Sequence, residues 1–133
     1  MIAGIGTDIV EIHRVRQIIK GQYGHSFVKR VFTDHEKEYC LQAKDPANRY
    51  ASRFAAKEAV LKALGKGLRG MKWNEIEVIR DDGGRPSIRL TGAAKKLAAA
   101  AGITHWFLTI SHSREYAVAQ VIAWQEGSNH AHP

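Results

Sequence analysis

Three charged residues, Asp8, Glu58 and Lys62, carry the groups best suited to chemistry in this sequence. Mg²⁺ prefers one or two carboxylates completed by phosphate oxygens and water, and a nearby lysine can neutralise phosphate charge. Two acids and a lysine therefore suggest metal-dependent chemistry on a phosphate ester or anhydride, although these residues alone do not name the substrate. The simpler alternative is an ion pair between Glu58 and Lys62 within one helix, worth about 0.3 kcal/mol.

Glu58 and Lys62 lie in a predicted amphipathic helix that begins just after Pro46 and ends at Gly65. Residues 53–65 are rich in Ala, Leu, Lys and Glu, which are strong helix formers. The apolar residues at helical spacing are Ala47, Tyr50, Phe54 and Leu61. Glu58 falls on the same face. Because burying an unpaired carboxylate costs several kcal/mol, Glu58 requires a cation, either a side chain or a metal.

Asp8 lies in a predicted strand at the start of the chain, where branched residues alternate with small ones. Side chains alternate between the two sides of a strand, so Gly4, Gly6 and Asp8 share one face. The glycines leave this face bare, and we expect something bulky to approach the backbone there. A carboxylate on a strand and another on a helix, with Lys62 nearby, match a magnesium and phosphate site.

The remaining elements follow from periodicity and capping signals. Further helices are predicted over residues 12–20, 34–43 and 92–101, and strands over 76–80, 87–90, 105–112 and 116–124. Thr33 and Glu36 have capping-box spacing, and Thr91 is the predicted cap of the last helix. Residues 21–24 break the pattern, and residues 27–32 form an apolar and basic segment. This order predicts an α+β fold with a mostly antiparallel sheet packed against the long amphipathic helix.

The 133 residues predict one domain over 1–124 and a flexible polar tail over 125–133. The net charge of +7 favours acidic partners such as nucleic acid, anionic membrane, phosphorylated ligands or an acidic protein. No apolar run is long enough to span a bilayer and no signal peptide opens the chain, so we expect a cytoplasmic location without a membrane partner. Cys40 is interpreted as structural. His130 and His132 fit a frayed end better than a metal site.

Several common kinds of site find no match in the sequence. The hydrolase motif G-x-S-x-G and the zinc motif H-E-x-x-H are absent. Ser111 and His112 are neighbours in a strand, so they point to opposite faces and cannot form a nucleophile–base pair by themselves. Gly65, Gly67 and Gly70 leave amides free to hold phosphate, but their spacing does not match a P-loop.

Four stretches in order resemble the holo-[acyl-carrier-protein] synthases, the small stand-alone 4′-phosphopantetheinyl transferases. They are residues 4–12, residues 30–33 with Glu36 and Tyr39, residues 53–65, and residues 110–113. The similarity runs from about Ile2 to Trp124. The Gly-x-Asp element and the Lys-Glu-Ala-x-x-Lys-Ala element are highly specific in combination. The resemblance implies a 4′-phosphopantetheinyl transferase-like fold.

The resemblance also implies a reaction that supports fatty acid biosynthesis. This family moves the 4′-phosphopantetheine arm of coenzyme A to a serine of apo acyl carrier protein and releases adenosine 3′,5′-bisphosphate. Asp8 and Glu58 match its magnesium ligands, and Lys62 matches a lysine near the pyrophosphate. The carrier serine attacks the β-phosphorus, and either a metal-bound water or a carboxylate takes its proton.

The family further implies a homotrimer with active sites between subunits. The coenzyme A-binding residues implied by the resemblance are Lys44, Arg53, Lys62, Gly65, Arg85, Pro86, His105, Ser111 and His112. Arg14 and Arg16, on the basic helix, match the docking surface for the acidic carrier protein, and the alternative for that helix is a solvated face. His13 replaces an expected acidic or other charged residue, and Arg85 stands where a lysine is common.

Two other classes of protein also fit the composition. A basic nucleic-acid-binding module would use the positive charge together with the aromatic residues Trp106, Phe107, Tyr116 and Trp124. No RNA-binding, zinc-finger or homeodomain motif accompanies them, so we expect no nucleic-acid partner. A metal-dependent phosphohydrolase would use Asp8 and Glu58 and would act without a carrier protein.

Overall fold

The computed structural model describes residues 1–127. Within this range the strands are β1 (Ile2–Glu11), β2 (Ile76–Arg80), β3 (Pro86–Leu90), β4 (His105–His112) and β5 (Tyr116–Trp124). The helices are α1 (Ile12–Lys20), α2 (Gly24–Val31), α3 (Asp34–Leu41), α4 (Pro46–Leu64) and α5 (Gly92–Ala100), with a 3₁₀ turn at Trp73–Glu75. The predicted α+β class is confirmed. His130 and His132 lie outside the described residues.

The strands form two antiparallel sheets. One sheet has the order β1-β5-β4, and the other is the β2-β3 hairpin. In the larger sheet Asp8 lies opposite Ala119, so the predicted acid sits near the middle of an edge strand of this sheet. No helix within residues 1–127 is both long and apolar enough to cross a membrane.

The bare face of β1 receives helix α4. A Cβ atom at Gly4 would collide with the carbonyl oxygen of Ala63, and one at Gly6 would collide with that of Ala59. The glycines therefore admit the helix backbone, where the sequence alone left the bulky group unnamed. Because Asp8 shares this face, the close approach brings its carboxylate to the helix that carries Glu58 and Lys62.

Helix α4 is buried over more of its surface than an amphipathic stripe requires. Twelve of its 19 residues are buried. One side packs on the three-stranded sheet, and other parts contact α1, α3 and β2. The many alanines make this possible, since small side chains let the neighbouring backbones come close. The helix ends at Gly65, whose φ of 71° is a left-handed conformation that glycine adopts readily.

A buried ion pair fixes α4 against α3. Lys57 and Glu36 are both fully buried, and the Lys57 Nζ lies 2.7 Å from Glu36 Oε1. The same ammonium donates to the carbonyl oxygens of Val31 at 2.7 Å and Trp73 at 3.3 Å. Burial lowers the pKa of Lys57, and the charge of Glu36 opposes that shift. All three N–H groups of Lys57 thus serve the interior.

The structure departs from the sequence prediction in the segment after α1. Residues 24–31 form helix α2, which begins at a glycine that the sequence pattern treated as a break. A side chain at Gly24 would collide with the carbonyl oxygen of Ile19, so only glycine fits where α2 turns back beneath α1. Val28 and Val31 then bury their side chains against the same cluster as Ile12.

Capping follows the prediction at α3 but not at α5. Thr33 and Glu36 form the predicted capping box. Thr91 precedes α5 but makes no side-chain cap; the Glu75 carboxylate instead accepts from the Ala93 N–H at 3.0 Å. The hydrogen bonds from backbone N–H groups, that of Lys72 foremost, lower the pKa of Glu75. The prediction of a Thr91 cap was wrong. The side chain that caps α5 belongs to Glu75, which lies 18 residues upstream of Ala93.

Candidate active site

The structure brings the three predicted chemical residues together between β1 and α4. Lys62 Nζ lies 3.0 Å from Asp8 Oδ1 and donates to the Thr7 carbonyl oxygen at 3.1 Å. Lys62 therefore bridges from the helix to the strand, and the internal Glu58–Lys62 pair considered from the sequence is not what forms. The Asp8 side chain is 14% exposed and that of Lys62 is 53% exposed, so the cluster opens to solvent on the lysine side.

The two carboxylates are close enough to affect each other. Burial raises the pKa of Glu58, the negative charge of Asp8 raises it further, and Lys62 partly opposes both effects. Lys62 is ion-paired with Asp8, whereas Glu58 forms no ion pair within residues 1–127. The cluster therefore has two neighbouring carboxylates and one ammonium. A second cation would relieve the repulsion between Asp8 and Glu58, so the site favours cation binding.

The donor set fits Mg²⁺. Within residues 1–127 no group of three or more His, Cys, Asp or Glu side chains could enclose a metal ion. Zinc and calcium sites usually draw more protein ligands than two, whereas Mg²⁺ is commonly held by one or two carboxylates with substrate phosphates and water. Asp8 and Glu58 are the pair that would hold it.

A separate cavity of about 620 Å³ lies beside the first half of α4. Four residues that the sequence assigned to coenzyme A line it together: Lys44, Arg53, Pro86 and His112. Its size falls within the usual range for small-molecule sites. The predicted opposition of Ser111 and His112 also holds. The His112 side chain points into this cavity. Ser111, which pairs with Val118 of β5, points to the other face of the sheet.

The cavity carries a net positive charge. Lys44, Arg49, Arg53 and Arg80 line it, and among the described lining residues Asp45 is the one acid. Asp45 is already paired, because its Oδ2 lies 2.5 Å from an Arg16 nitrogen. The hydrogen bond from Arg16 lowers the pKa of Asp45. The cations of the cavity are therefore left for an anionic ligand.

Several of the residues predicted to bind coenzyme A do not line this cavity within a single chain. His105 is at the opposite end of β4 from His112, about 24 Å along the strand, and its ring nitrogen contacts Thr104 at 2.9 Å. Arg85 lines a neighbouring groove with Trp106 and Phe107. Ser111 is exposed on the outer face of the sheet. Within one chain, none of these three residues lines the cavity.

Gly65 ends α4 and begins a run whose glycines, at 65, 67 and 70, have G-x-G-x-x-G spacing. A dinucleotide-binding fingerprint requires this run to follow a strand and open a helix. Here it follows a helix and leads to a 3₁₀ turn. The run is therefore not such a fingerprint, and a role for Gly65 stays a prediction.

The cavity residues that sequence reasoning missed include Tyr39, Arg49 and Arg80. Arg49 could have been found, because it precedes Arg53 by one helical turn on the same face of α4. Arg80 ends β2 and Tyr39 lies in α3, so no local pattern connects them with Arg53.

Cys40 is fully buried, as the structural interpretation requires. Burial raises the pKa of its thiol to about 12. A thiolate is the reactive form of cysteine, so Cys40 is not available as a nucleophile.

The predicted docking arginines differ in their surroundings. Arg14 is exposed on α1, and within residues 1–127 it forms no ion pair. Arg16 is engaged by Asp45. Of the two, Arg14 is the one whose charge is free to meet a partner.

Comparison with known proteins agrees with these features. Residues 4–121 match the family model of the 4′-phosphopantetheinyl transferase superfamily. Holo-[acyl-carrier-protein] synthase of Gloeobacter violaceus is 49% identical over 118 residues, 88% of this chain and 89% of that protein. The crystal structure of the same enzyme from Neisseria meningitidis has a TM-score of 0.86 at 37% identity, covering 94% of this chain and 100% of the other.

A structure solved with coenzyme A is also similar. Helicobacter pylori holo-[acyl-carrier-protein] synthase in complex with coenzyme A has a TM-score of 0.79 at 30% identity, covering 90% of this chain and 99% of the other. The match over nearly the whole chain, with Asp8, Glu58 and Lys62 gathered as the sequence predicted, leads to one conclusion. The chain belongs to the 4′-phosphopantetheinyl transferase superfamily, among the holo-[acyl-carrier-protein] synthases.

Proposed function

We propose that this protein transfers the 4′-phosphopantetheine arm of coenzyme A to a serine of apo acyl carrier protein in a Mg²⁺-dependent reaction that supports fatty acid biosynthesis in the cytoplasm. The observation that carries the proposal is the cluster of Asp8, Glu58 and Lys62, in which Lys62 is ion-paired with Asp8 and the neighbouring Glu58 has a raised pKa. The names of the relatives and the coenzyme A complex of the Helicobacter pylori protein support the substrates.

The residues of the cluster have distinct parts in this reaction. Asp8 and Glu58 would hold Mg²⁺, which when bound would neutralise charge on the pyrophosphate. Lys62, which lies 3.0 Å from Asp8, would pair with a pyrophosphate oxygen of coenzyme A. The serine oxygen forms a bond to the β-phosphorus, and the bond from that phosphorus to the bridging oxygen breaks. Adenosine 3′,5′-bisphosphate leaves, and the serine proton passes to a base.

The positive cavity suits the nucleotide end of coenzyme A. Lys44 and Arg53 can pair with phosphate groups, and Pro86 and His112 provide a wall for the adenosine. The carboxylate cluster and this cavity lie on different parts of α4, because Glu58 is five residues beyond Arg53 and so faces another direction.

An assembly of copies would complete the site, and we propose a homotrimer. Ile5, Ile9 and Phe107 leave more than half of their surface exposed on the outer face of the three-stranded sheet, away from α4. An apolar face of this kind usually meets a partner. His105 and Ser111 lie on this same outer face, so a neighbouring copy packed there would bring them to a site that one chain leaves incomplete.

The direct test is the intact mass of an apo acyl carrier protein after incubation with this protein, coenzyme A and Mg²⁺. The expected result is a mass gain of one phosphopantetheine arm that disappears when EDTA removes the metal. Absence of any gain with several apo carriers, from a folded preparation, would reject the proposed function. Release of phosphate products without a carrier would point to a hydrolase.

The Mg²⁺ requirement is expected to depend on pH through Glu58. Burial and Asp8 raise the pKa of Glu58 above its ordinary value of 4.5, so protons compete with the metal at a higher pH than at an ordinary glutamate. The Mg²⁺ concentration for half-maximal transfer should therefore rise as the pH falls from neutral toward the raised pKa of Glu58. Initial rates over a grid of Mg²⁺ and pH measure this, and a Mg²⁺ requirement independent of pH would contradict it.

Arg14→Glu is expected to weaken use of the carrier protein. Reversing an exposed charge on α1 should raise the KM for acyl carrier protein about tenfold and leave the KM for coenzyme A within about twofold. Arg114→Glu makes the same charge change at an exposed position between β4 and β5 and serves as the control. Steady-state kinetics in both substrates measure the effect, and equal changes in both KM values would remove α1 from the docking surface.

A further inference from the structure

Three arginines surround one aromatic ring in the positive cavity. The guanidinium carbons of Arg49, Arg53 and Arg80 lie 4.0, 4.1 and 5.0 Å from the centre of the Tyr39 ring. The ring comes from α3, two arginines from α4, and the third from the end of β2. Guanidinium groups are attracted to an aromatic face at these distances. Tyr39 is thus the common contact of three cations from separate elements.

These cations lack carboxylate partners. Within residues 1–127 none of the three arginines forms an ion pair. Arg49 donates to the Tyr39 carbonyl oxygen at 2.7 Å, and Arg80 donates to the Gly84 carbonyl oxygen at 3.2 Å, both neutral acceptors. The cluster therefore holds positive charge that the described part of the chain does not neutralise.

Arg53 is the most constrained member of the cluster. It is only 6% exposed, and its buried Nε atom has no hydrogen-bond partner within residues 1–127. Burial lowers the pKa of this arginine, because water no longer solvates its charge fully. A largely buried arginine at the wall of a cavity, without a carboxylate partner, carries a charge that a phosphate group would neutralise.

We infer that Tyr39 is a positioning residue of the coenzyme A site. Its ring holds Arg49, Arg53 and Arg80 as one anion-binding unit, which sets the affinity for the phosphate groups of the ligand and leaves the transfer step unchanged. The identity of the ligand rests on the proposed function. The Tyr39 hydroxyl makes no hydrogen bond to another residue in the described range, so the aromatic face carries this role.

Comparison of Tyr39→Leu with Tyr39→Phe separates the effect of the aromatic ring from the effects of the hydroxyl group and of side-chain volume. Tyr39→Leu removes the face that attracts three cations, so the KM for coenzyme A should rise about tenfold. The kcat at saturating coenzyme A and the KM for acyl carrier protein should stay within about twofold of the wild-type values. Tyr39→Phe keeps the face and should match the wild type in all three constants. A fall in kcat in Tyr39→Leu with an unchanged KM for coenzyme A would overturn the inference.

Direct binding provides a readout that does not depend on turnover. Calorimetric titration of adenosine 3′,5′-bisphosphate, without carrier protein or metal, should give about tenfold weaker binding to Tyr39→Leu and wild-type binding to Tyr39→Phe. Equal binding by all three proteins, or equal weakening by both variants, would overturn the inference. If the wild type binds this nucleotide with the expected variant pattern but transfers nothing, the inference stands and the proposed function fails.

Arg80→Gln covers the case in which Tyr39→Leu does not fold. Arg80 is exposed, so its replacement leaves the core intact while removing one cation from the ring. Binding of the same nucleotide should weaken about threefold, and the dependence on salt should become shallower. Unchanged affinity and unchanged salt dependence would show that Arg80 is not part of the anion-binding unit, which contradicts the inference.

Discussion

Glu58→Gln is expected to abolish Mg²⁺-dependent transfer and, at neutral pH, to leave the free energy of unfolding unchanged or higher. The activity should fall at least about 100-fold, because the amide cannot replace a carboxylate that holds the metal. The stability should not fall, since burial and the charge of Asp8 already make an ionised Glu58 unfavourable in the native state. If Glu58 served packing alone, its replacement would lower the stability and leave the activity unchanged.

The pH dependence of this stability difference has a definite sign. The pKa of Glu58 is raised in the native state, so that state binds the proton more tightly than the unfolded chain does. The wild type therefore loses stability as the pH rises through the window from the ordinary value of 4.5 up to the raised pKa. Glu58→Gln has no such proton, so its advantage should be present at neutral pH and absent below that window.

Two measurements on the same preparations test this prediction. Intact-mass kinetics report transfer, and thermal unfolding with and without Mg²⁺ reports stability. Mg²⁺ should stabilise the wild type and not Glu58→Gln, since only the wild type retains both carboxylates. Glu115→Gln, at an exposed glutamate between β4 and β5, should resemble the wild type in both assays. Full Mg²⁺-dependent activity in Glu58→Gln would remove Glu58 from the metal site.

The sequence predicted the elements most accurately where local signals agree. Strands β2, β4 and β5 begin and end at the predicted residues, because runs of branched and aromatic residues are bounded by turn residues. The sequence also predicted that something bulky would approach the face of β1 that carries Asp8, because Gly4 and Gly6 lie on the same face. That the helix itself fills this face required the structure, because a glycine does not specify what approaches it.

Features that depend on distant parts of the chain were not predictable in this way. Periodicity and capping rules relate residues three or four positions apart. Tyr39 in α3 contacts Arg80 at the end of β2, and Glu36 and Lys57 form a pair across 21 positions. Nothing in the local sequence of Lys57 distinguishes a buried lysine from one on the surface. The arginine cluster and the buried ion pair therefore appear only in the folded chain.

Lys57→Met, in α4, is expected to lower the free energy of unfolding by about 3–5 kcal/mol. Both partners of the Lys57–Glu36 pair are fully buried, and removing the lysine leaves a carboxylate without a cation. Glu36 would keep the backbone N–H groups of Thr33 and Val78, at 2.9 and 2.8 Å, but these do not neutralise its charge. Denaturant titration measures the loss, with Lys37→Met, at an exposed lysine, as the matched control.

The double variant Lys57→Met with Glu36→Gln separates the effect of losing the lysine from the effect of leaving the Glu36 charge without a cation. Removing both charges leaves neither Lys57 nor Glu36 as an unpaired buried ion, so the double variant should be more stable than Lys57→Met alone. A loss of stability in the double variant equal to the sum of the two single losses would show that the charges are not coupled. Transfer per folded molecule should survive in Lys57→Met at low temperature, because acceptors in the interior occupy all three N–H groups of the lysine. Loss of transfer from a fully folded Lys57→Met would instead place this lysine in the reaction beside Glu58.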